Sequence, residues 1–324
     1  MDASLAYPTC WDLHSKGMLN LILSSIFNLT EYSLMKNPSL KQSISLVLGF
    51  TVFGFDGQFK PASALTVSFP DFSNVSAWQL NGNAAQAGSV LRVTPSKPGQ
   101  SGSAFLSSPM SLLNQNSFSA FFQFRISNPG GATDADGVQG ADGVVFALQT
   151  VSNTAGGSGG GIGFANLPNS VGVEFDTWNN GNVDQFNGNH IGIDFNGNMA
   201  SNPLAPVVQT LNNGSIYSAW IDYNGLIDSL EVRFAQNSNR PVSPLLSTIV
   251  DLESVLGSSN AYVGFTSGTG SAYNDHDILS FTFADEFKPI DGGIPVPGPL
   301  PILGVAAAFG YSRKLRKRIK APNS

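Results

Sequence analysis

Residues 171–195 read VGVEFDTWNNGNVDQFNGNHIGIDF, and this stretch decides the fold. Residues with inward and outward character alternate from Val171 to Trp178, which is typical of a β-strand whose successive side chains point to opposite faces. Glu174 and Asp176, with Trp178 in phase, therefore project to the same face of the predicted strand. The polar residues that follow predict a loop that folds back over the end of that strand.

Three carboxylates, a carboxamide and an imidazole that could share a metal ion fall within 17 residues of this stretch: Glu174, Asp176, Asn180, Asp184 and His190. Carboxylates that lie close together raise one another's pKa unless a cation neutralises them. Oxygen ligands favour calcium, and the single imidazole favours a neighbouring transition ion such as manganese. The spacing alone leaves two interpretations, a metal site or an ordinary polar turn, because Asp and Asn also fill turns without metal.

Short alternating segments separated by turn residues recur through residues 65–288, and no long 3.6-residue period interrupts them. Phe118–Ile126 is a second clear strand pattern. Asn224-Gly225 lies between two apolar runs, which predicts a hairpin with a tight turn whose central positions need positive φ. Many short strands with frequent turns predict one all-β domain, a sandwich or a barrel, and no internal repeat suggests a propeller.

Composition excludes several classes of protein. Charged residues make up 12% of the chain and hydrophobic residues 42%, which excludes a solvated disordered chain. Residues 65–288 contain 17 acidic and six basic residues, so phosphate contacts are poorly supplied and nucleic-acid binding is not expected. This acidic character suits cation binding, and equally suits simple solubility. The single cysteine, Cys10, excludes an intramolecular disulfide and a cysteine-based zinc site.

The N-terminal part divides into an upstream segment and a signal-like segment. Residues 35–64 begin with the basic sequence MKNPSLKQ, continue with an apolar run at 44–55 and end on Ala-Ser-Ala. A basic start, a short apolar run and a small-residue cleavage site are the parts of a secretory signal peptide. Residues 1–34 precede it, and we interpret them as a mis-set translation start. The alternative is that the apolar run is a buried strand or helix.

The C-terminal part has the composition of a linker followed by a sorting tail. Residues 289–298 are rich in Pro and Gly, and residues 299–320 combine an apolar run with six cations. The cations predict that this end stays in the cytoplasm while the upstream domain lies outside. The tail resembles the PEP-CTERM sorting tails of Gram-negative bacteria, which an exosortase recognises, although Gly298 stands where that motif has Glu. The alternative is a simple membrane anchor. Either interpretation predicts export to the cell surface or the extracellular matrix.

The quoted stretch strongly resembles the core of the legume-type, or L-type, lectins. Further segments resemble the same family in the same order along the chain: Leu80–Ala84, Thr94–Phe105, Phe118–Ser127, Ala141–Gly143, Trp220–Tyr223, Val263–Phe265 and His276–Phe281. The resemblance covers essentially all of residues 65–288. It implies a concanavalin-like jelly-roll β-sandwich that binds glycans such as exopolysaccharide without catalysis, and family members often pair as homodimers.

For calcium, the resemblance implies four ligands. The side chains of Asp176, Asn180 and Asp184 and the backbone carbonyl of Trp178 match the family's calcium-binding positions. These groups are all oxygen donors, as calcium prefers.

For a manganese-type ion, the resemblance implies a second set of ligands that overlaps the first. Glu174, Asp176, Asp184 and His190 match the family's transition-metal positions. The spacing from Asp184 to His190 is one residue longer than in the plant members, which is a departure from the family pattern.

The resemblance also implies the sugar-binding residues. Asp142 would accept hydrogen bonds from two adjacent sugar hydroxyls, and Asn180 would donate its free amide to a hydroxyl. A glycine-rich loop would supply a backbone N–H from Gly160 or Gly161, because glycine lets the backbone approach a ligand closely. Trp178 would offer an apolar face to the sugar ring, with a buried sandwich tryptophan as the alternative. The peptide bond that precedes Asp142 is expected to be cis.

Two other functions compete with a lectin. The same sandwich carries glycoside hydrolases, which need two carboxylates around the glycosidic bond. The related glucanases have a Glu-x-Asp-x-x-Glu strand, whereas here Glu174 and Asp176 are followed by Asn179, and an amide cannot act as the general acid. The third interpretation is a structural surface protein that no longer binds sugar. The sequence favours a secreted, calcium-dependent lectin that is not an enzyme.

Overall fold

The structure is a computed structural model that describes residues 65–112, 115–156 and 159–292. Over these residues the chain forms two eight-stranded β-sheets. Every pairing between named strands is antiparallel. The predicted all-β jelly-roll sandwich is confirmed.

The strands of the described residues are numbered along the chain: β1 (Thr66–Phe69), β2 (Trp78–Gly82), β3 (Ala85–Ala87), β4 (Val90–Thr94), β5 (Ser101–Leu106), β6 (Met110–Ser111), β7 (Phe118–Gly131), β8 (Gly143–Gln149), β9 (Ser170–Asp176), β10 (His190–Phe195), β11 (Leu204–Pro206), β12 (Tyr217–Asn224), β13 (Ser229–Ala235), β14 (Leu246–Ile249), β15 (Asn260–Gly268) and β16 (Ala272–Ala284). The back sheet has the order β14-β13-β12-β7-β16-β4-β3, with β1 also paired to β16. The front sheet has the order β11-β10-β9-β8-β15-β5-β2, with β6 also paired to β15. The chain passes repeatedly from one sheet to the other, so neighbouring strands are often distant in sequence.

Helical structure is short in the described residues. Helix α1 (Leu252–Leu256) begins after Asp251, whose side chain accepts a hydrogen bond from the Ser254 N–H, and it ends at Gly257. A 3-10 turn covers Gly159–Gly161. Neither is long and apolar enough to cross a bilayer. The predicted upstream segment, signal peptide and tail lie within residues 1–64 and 293–324, outside the described residues, and only residues 289–292 of the predicted linker are described.

Phenylalanine side chains fill the space between the two sheets. Phe122 of the back sheet packs against Phe175 and Phe265 of the front sheet, with ring centroids 5.7 and 5.0 Å apart. Phe281 packs against Phe265 at 5.4 Å. All four side chains are fully buried. Removing this apolar surface from water is the main favourable contribution to folding.

A smaller apolar cluster lies on the other face of the front sheet. Val145 points away from the core that its neighbours on β8 enter, and it packs with Ile162 and Phe164 of the loop before β9. Gly172 lies beneath Phe164, because a Cβ there would approach the Phe164 ring within 2.9 Å. The Thr266 hydroxyl also donates to the Ile162 carbonyl at 2.8 Å. These contacts fasten the glycine-rich loop to the sheet.

The hairpin predicted at Asn224-Gly225 forms, but its turn is longer than predicted. Asn224 still pairs with Ser229, so the connection consists of residues 225–228. Asp228, with φ of 53°, is the residue of the connection that adopts positive φ. Gly225 is required for another reason, since a Cβ there would collide with the backbone carbonyl of Gln115. Contact with a neighbouring loop therefore explains the glycine at position 225.

The chain beyond β16 lies on the outer face of the back sheet. The Lys288 N–H donates to the Ser119 hydroxyl at 3.0 Å. Gly292 lies against the buried Trp220, where a Cβ would come within 2.7 Å of the indole ring. Residues 285–292 thus cover part of the outer face of the back sheet.

The core packing predicts that Phe175→Ala lowers the free energy of unfolding by about 3–5 kcal/mol, because the large buried ring leaves a cavity. Phe287, which is 42% exposed, is the matched control, and Phe287→Ala should change stability by less than about 0.5 kcal/mol. Urea denaturation measures both values. Equal effects of the two substitutions would contradict this account of the core.

Candidate functional site

Strands β9 and β10 bring three of the predicted ligands together at one end of the front sheet. His190 pairs with Asp176, and Glu174 lies two residues earlier on the same face of β9. One ligand atom from each of the three residues lies within 4.8 Å of the other two. Phe175 enters the core between them, so its neighbours must face the other way. The predicted alternation therefore holds at this strand.

The groups around His190 and Glu174 include more hydrogen-bond acceptors than donors. His190 Nδ1 donates to the Asn187 carbonyl at 2.8 Å, so Nε2 of the neutral ring carries no proton. That Nε2 lies 3.0 Å from Oε1 of Glu174, which places a lone pair against a carboxylate oxygen. Ser201 has a single hydroxyl proton for both Glu174 and Asp194. The arrangement becomes favourable when it gains protons or a cation.

Burial shifts the pKa of every ionisable group in the cluster toward the neutral form. It raises the pKa of Glu174 to about 7, and burial together with the Glu174 charge raises that of Asp194 to about 9. Burial, then the charges of Glu174 and Asp184, raises the pKa of Asp176 well above its usual range. Burial also raises the pKa of Asp184 and lowers that of His190. Without a cation, the folded protein therefore retains carboxyl protons at neutral pH.

The loop after β9 brings a second set of oxygens together. The Trp178 N–H donates to Asp176 Oδ1 at 2.6 Å, and the Asn180 N–H donates to the Asp184 carboxylate. The Asn180 side-chain amide is satisfied when its nitrogen faces these groups and donates to the Trp178 carbonyl and to Asp184 Oδ2, each at 3.1 Å. A calcium ion among these groups would take the amide oxygen instead, since calcium binds oxygen ligands.

Asp142 lies beside this cluster because strand β8 begins against the end of β9. Gly143 pairs with Asp176, and the Thr177 N–H donates to the Asp142 carbonyl at 3.0 Å. Gly143 has φ of 139°, and a Cβ there would come within 3.1 Å of the Asp176 Cα. The Ala141–Asp142 peptide is cis, as the family resemblance implies. Burial, and then the charge of Asp184, raises the pKa of Asp142 to about 7.

The remaining predicted sugar contacts lie around Asn180. Gly160 is exposed and lies next to Asn180, since a Cβ on Gly160 would collide with the Asn180 side-chain amide. Gly161 follows in the same 3-10 turn. Trp178 is half-buried, which leaves part of its ring accessible. Four of the predicted sugar-site residues thus come from two loops that meet at Asn180.

Two members of the cluster were not assigned in the sequence analysis. Asp194 follows His190 by four residues on β10, so the alternation of that strand could have placed it on the same face. Ser201 lies in the connection after β10, and it reaches Glu174 and Asp194 only because that connection folds back. No spacing in the sequence signals this contact.

The jelly-roll sandwich, with a cluster of buried acids and an imidazole on its front sheet, defines a carbohydrate-binding fold of the lectin class. The chain belongs to the legume lectin family, because the family model described as "Legume lectin domain" matches residues 64–292. The predicted L-type lectin resemblance is therefore confirmed. Proteins of this family and fold are generally non-catalytic, and legume lectins generally bind calcium and manganese.

Curated relatives include plant receptor kinases. The L-type lectin-domain containing receptor kinase VIII.1 of Arabidopsis thaliana is 31% identical over 221 residues. That match covers 66% of this chain and 28% of the kinase. The similarity is therefore to the lectin part of a much longer protein.

Solved structures of plant lectins are similar over the same region. The winged bean acidic lectin, solved with methyl-α-D-galactose, is 26% identical with a TM-score of 0.58, and the match covers 68% of this chain and 98% of that lectin. The Bauhinia forficata lectin, solved with GalNAc, is 25% identical with a TM-score of 0.57 and the same coverage. Both matches extend over nearly the whole plant lectin.

The raised pKa values predict an unusual pH dependence of stability. In EDTA, we expect the melting temperature to fall from pH 6 to pH 8. Over this range the folded Glu174 and Asp194, with pKa values of about 7 and 9, retain protons that unfolded carboxyls, with pKa values of about 4, have lost. The unfolded state therefore binds fewer protons, and rising pH favours it.

Differential scanning calorimetry in EDTA measures this dependence, and Asp194→Asn should reduce its slope. A melting temperature that stays constant or rises from pH 6 to pH 8 in EDTA would contradict the assignment of shared protons to this cluster.

Proposed function

We propose that this chain is a calcium-dependent lectin that binds glycans of an exopolysaccharide or a cell surface and catalyses no reaction. The observation that carries the proposal is the position of Asp142 against the buried acid cluster at the ends of β8 and β9. The Asp142 carboxylate, which can accept hydrogen bonds from sugar hydroxyls, thereby lies beside buried carboxylates that a cation would neutralise. In this family and fold, that combination is best explained by cation-supported sugar binding.

The donor groups of the chain fit the ions that the family implies. Asp176, Asn180, Asp184 and the Trp178 carbonyl would hold calcium, since the Asn180 amide lies 3.1 Å from both the Trp178 carbonyl and Asp184 Oδ2, and burial raises the pKa of Asp176 and Asp184. A bound divalent cation would supply the positive charge that allows these carboxylates to ionise at neutral pH.

A transition ion of the manganese type would use a second group of ligands. Glu174 and His190 face one another through Oε1 and a proton-free Nε2, which suits a metal that accepts both oxygen and imidazole. Asp176 and Asp184 would be shared with calcium. The second ion is thus supported by the proton-free Nε2 of His190 against the buried Glu174 carboxylate.

Each proposed sugar contact follows from the chemistry of its side chain. Asp142, once ionised, only accepts hydrogen bonds and so suits two adjacent hydroxyl donors. If the Asn180 oxygen points to the cation, its amide donates toward the sugar, next to the backbone of Gly160 and Gly161. The accessible part of Trp178 would pack on the apolar face of the ring. Galactose and GalNAc are the first probes, because two similar lectins were solved with such sugars.

The proposal includes the cell-surface location that the terminal segments suggest. Residues 35–64 would direct export, and residues 299–320 would serve as a sorting tail or an anchor. An exosortase would be the sorting partner if the PEP-CTERM resemblance reflects function. A fusion that begins at Met35 should place residues 65–288 outside the cytoplasm, and a protein that stays uncut in the cytoplasm would contradict export.

The proposed sugar contact predicts that Asp142→Asn lowers glycan affinity roughly 10- to 100-fold. The substitution replaces one of the two carboxylate oxygens that accept from sugar hydroxyls by an amide nitrogen, which only donates. A glycan array with added calcium, followed by calorimetry on the best ligand, measures the loss. Asp71→Asn is the matched control, since Asp71 is exposed and its carboxylate bonds to Ser73 alone within the part of the chain that the structure describes. Wild-type affinity in the Asp142 variant would show that sugar binds elsewhere.

The proposed calcium site predicts that EDTA lowers the melting temperature near pH 7.5. A ligand that binds only the folded state stabilises it by about 2.7 kcal/mol at one hundred times its Kd. Asp176→Ala should abolish the response to calcium, because it removes a ligand shared by both proposed ions. An identical melting curve with EDTA and with excess calcium would refute the metal assignment.

A further inference from the structure

The connection between β7 and β8 touches the loop that carries the proposed calcium ligands. This connection, residues 132–140, reads ATDADGVQG and leads directly to Asp142. The loop opposite, residues 179–188, contains Asn180 and Asp184. The function proposed above uses residues next to the first loop, but it assigns no role to the two acids within that loop.

The first loop is closed by its own hydrogen bonds. Asp134 Oδ1 accepts from the N–H groups of Asp136 and Val138, at 2.9 and 3.0 Å. The Asp134 N–H donates to the Val138 carbonyl at 2.9 Å, and Thr133 bridges to Gln139. These bonds hold the loop in a defined conformation and leave the carboxylate of Asp136 available for another element.

Asp136 uses that carboxylate to join the two ends of the second loop. Its Oδ2 accepts from the Asn179 side-chain amide at 3.2 Å and from the Gly188 N–H at 2.9 Å. Asn179 immediately precedes Asn180, and Gly188 closes the loop two residues before His190. A single oxygen atom therefore connects the beginning and the end of the segment that contains two proposed calcium ligands.

The close approach at Gly188 is independent evidence that the two loops fit together. A Cβ on Gly188 would lie 2.5 Å from Asp134 Oδ2 and 2.7 Å from the Asn179 nitrogen. Asp134 Oδ2 also accepts weakly from that nitrogen, at 3.4 Å. Only glycine leaves room for this contact, so the sequence of both loops is adapted to it.

We propose that Asp136 is a positioning residue, which closes the loop of residues 179–188 from outside and thereby sets the affinity for calcium and, through it, for sugar. This inference rests on the proposed function. Asp136 acts by accepting two hydrogen bonds and is not itself a calcium ligand. Its loop leads to Asp142, so the same contact ties the sugar-binding carboxylate to the cation loop.

The test compares Asp136→Ala with Asp136→Asn by calorimetric calcium titration of the whole chain. Asp136→Ala removes both hydrogen bonds, and we expect the calcium Kd to rise about tenfold with unchanged stoichiometry. Asp136→Asn keeps a side-chain oxygen that can accept both bonds, so its Kd should stay within about twofold of wild type. Asp71→Ala, which removes an exposed local turn acid, should leave the Kd unchanged.

Three results would overturn the proposal. They are calcium binding by Asp136→Ala as tight as that of wild type, calcium binding by Asp136→Asn as weak as that of Asp136→Ala, and the loss of one bound ion from the stoichiometry of either variant. The second result would mean that the negative charge of Asp136 acts directly on the cation, and the third would make Asp136 a ligand.

Hydrogen exchange of the Gly188 amide in EDTA tests the contact without metal. The exchange rate should rise several-fold in Asp136→Ala and stay near the wild-type rate in Asp136→Asn. Gly188→Ala, which leaves Asp136 intact, should weaken calcium binding in the same direction, and combining it with Asp136→Ala should cost less than the sum. If wild type binds no calcium, the proposed function fails, and the exchange rates alone then decide whether Asp136 closes the loop.

Discussion

The outward face of strand β9 carries charge that the folded protein must neutralise, and the functional part of the molecule is organised around this constraint. Glu174 and Asp176 are held there because Phe175, between them, is buried in the aromatic core. Turning the carboxylates toward water would pull Phe175 out of its packing against Phe122. The hydrophobic core therefore decides which face the acids occupy, and the connection that carries Ser201 covers that face. Acids that are buried in this way require protons or a cation.

Close contacts at two glycines place the residues of the proposed sugar site next to these acids. Gly143 lets β8 start against Asp176, so Asp142 is placed in the field of the same acids. Gly172 leaves room for Phe164, whose packing holds the glycine-rich turn near Asn180. Neither loop is placed by its own sequence alone. Asp142 is placed by backbone contacts with the end of β9, and the glycine-rich turn is placed by apolar contacts with the front sheet.

The sequence was sufficient to predict the elements that are indicated by patterns of neighbouring residues. The alternation along β9 predicted that Glu174 and Asp176 share a face, and the turn signals predicted an all-β sandwich. Predictions failed or were missing where a distant segment decides the outcome. The turn after Asn224 contains four residues instead of the predicted tight turn, with Gly225 against the backbone of Gln115, and Ser201 reaches Glu174 because the connection after β10 folds back. Such contacts join residues far apart in sequence, and no spacing rule contains them.

Protons and cations compete for the same oxygens, and this competition decides how the site behaves. With a proton-free Nε2 on His190 and raised carboxyl pKa values around it, the cation-free fold is stabilised by retained protons. A divalent cation that binds must displace those protons, so its apparent affinity rises with pH. Asp142 follows the same rule, because its pKa depends on the charge of Asp184. A cation that neutralises Asp184 would therefore also favour the ionised Asp142 that accepts sugar hydroxyls, which links the two binding events through charge alone.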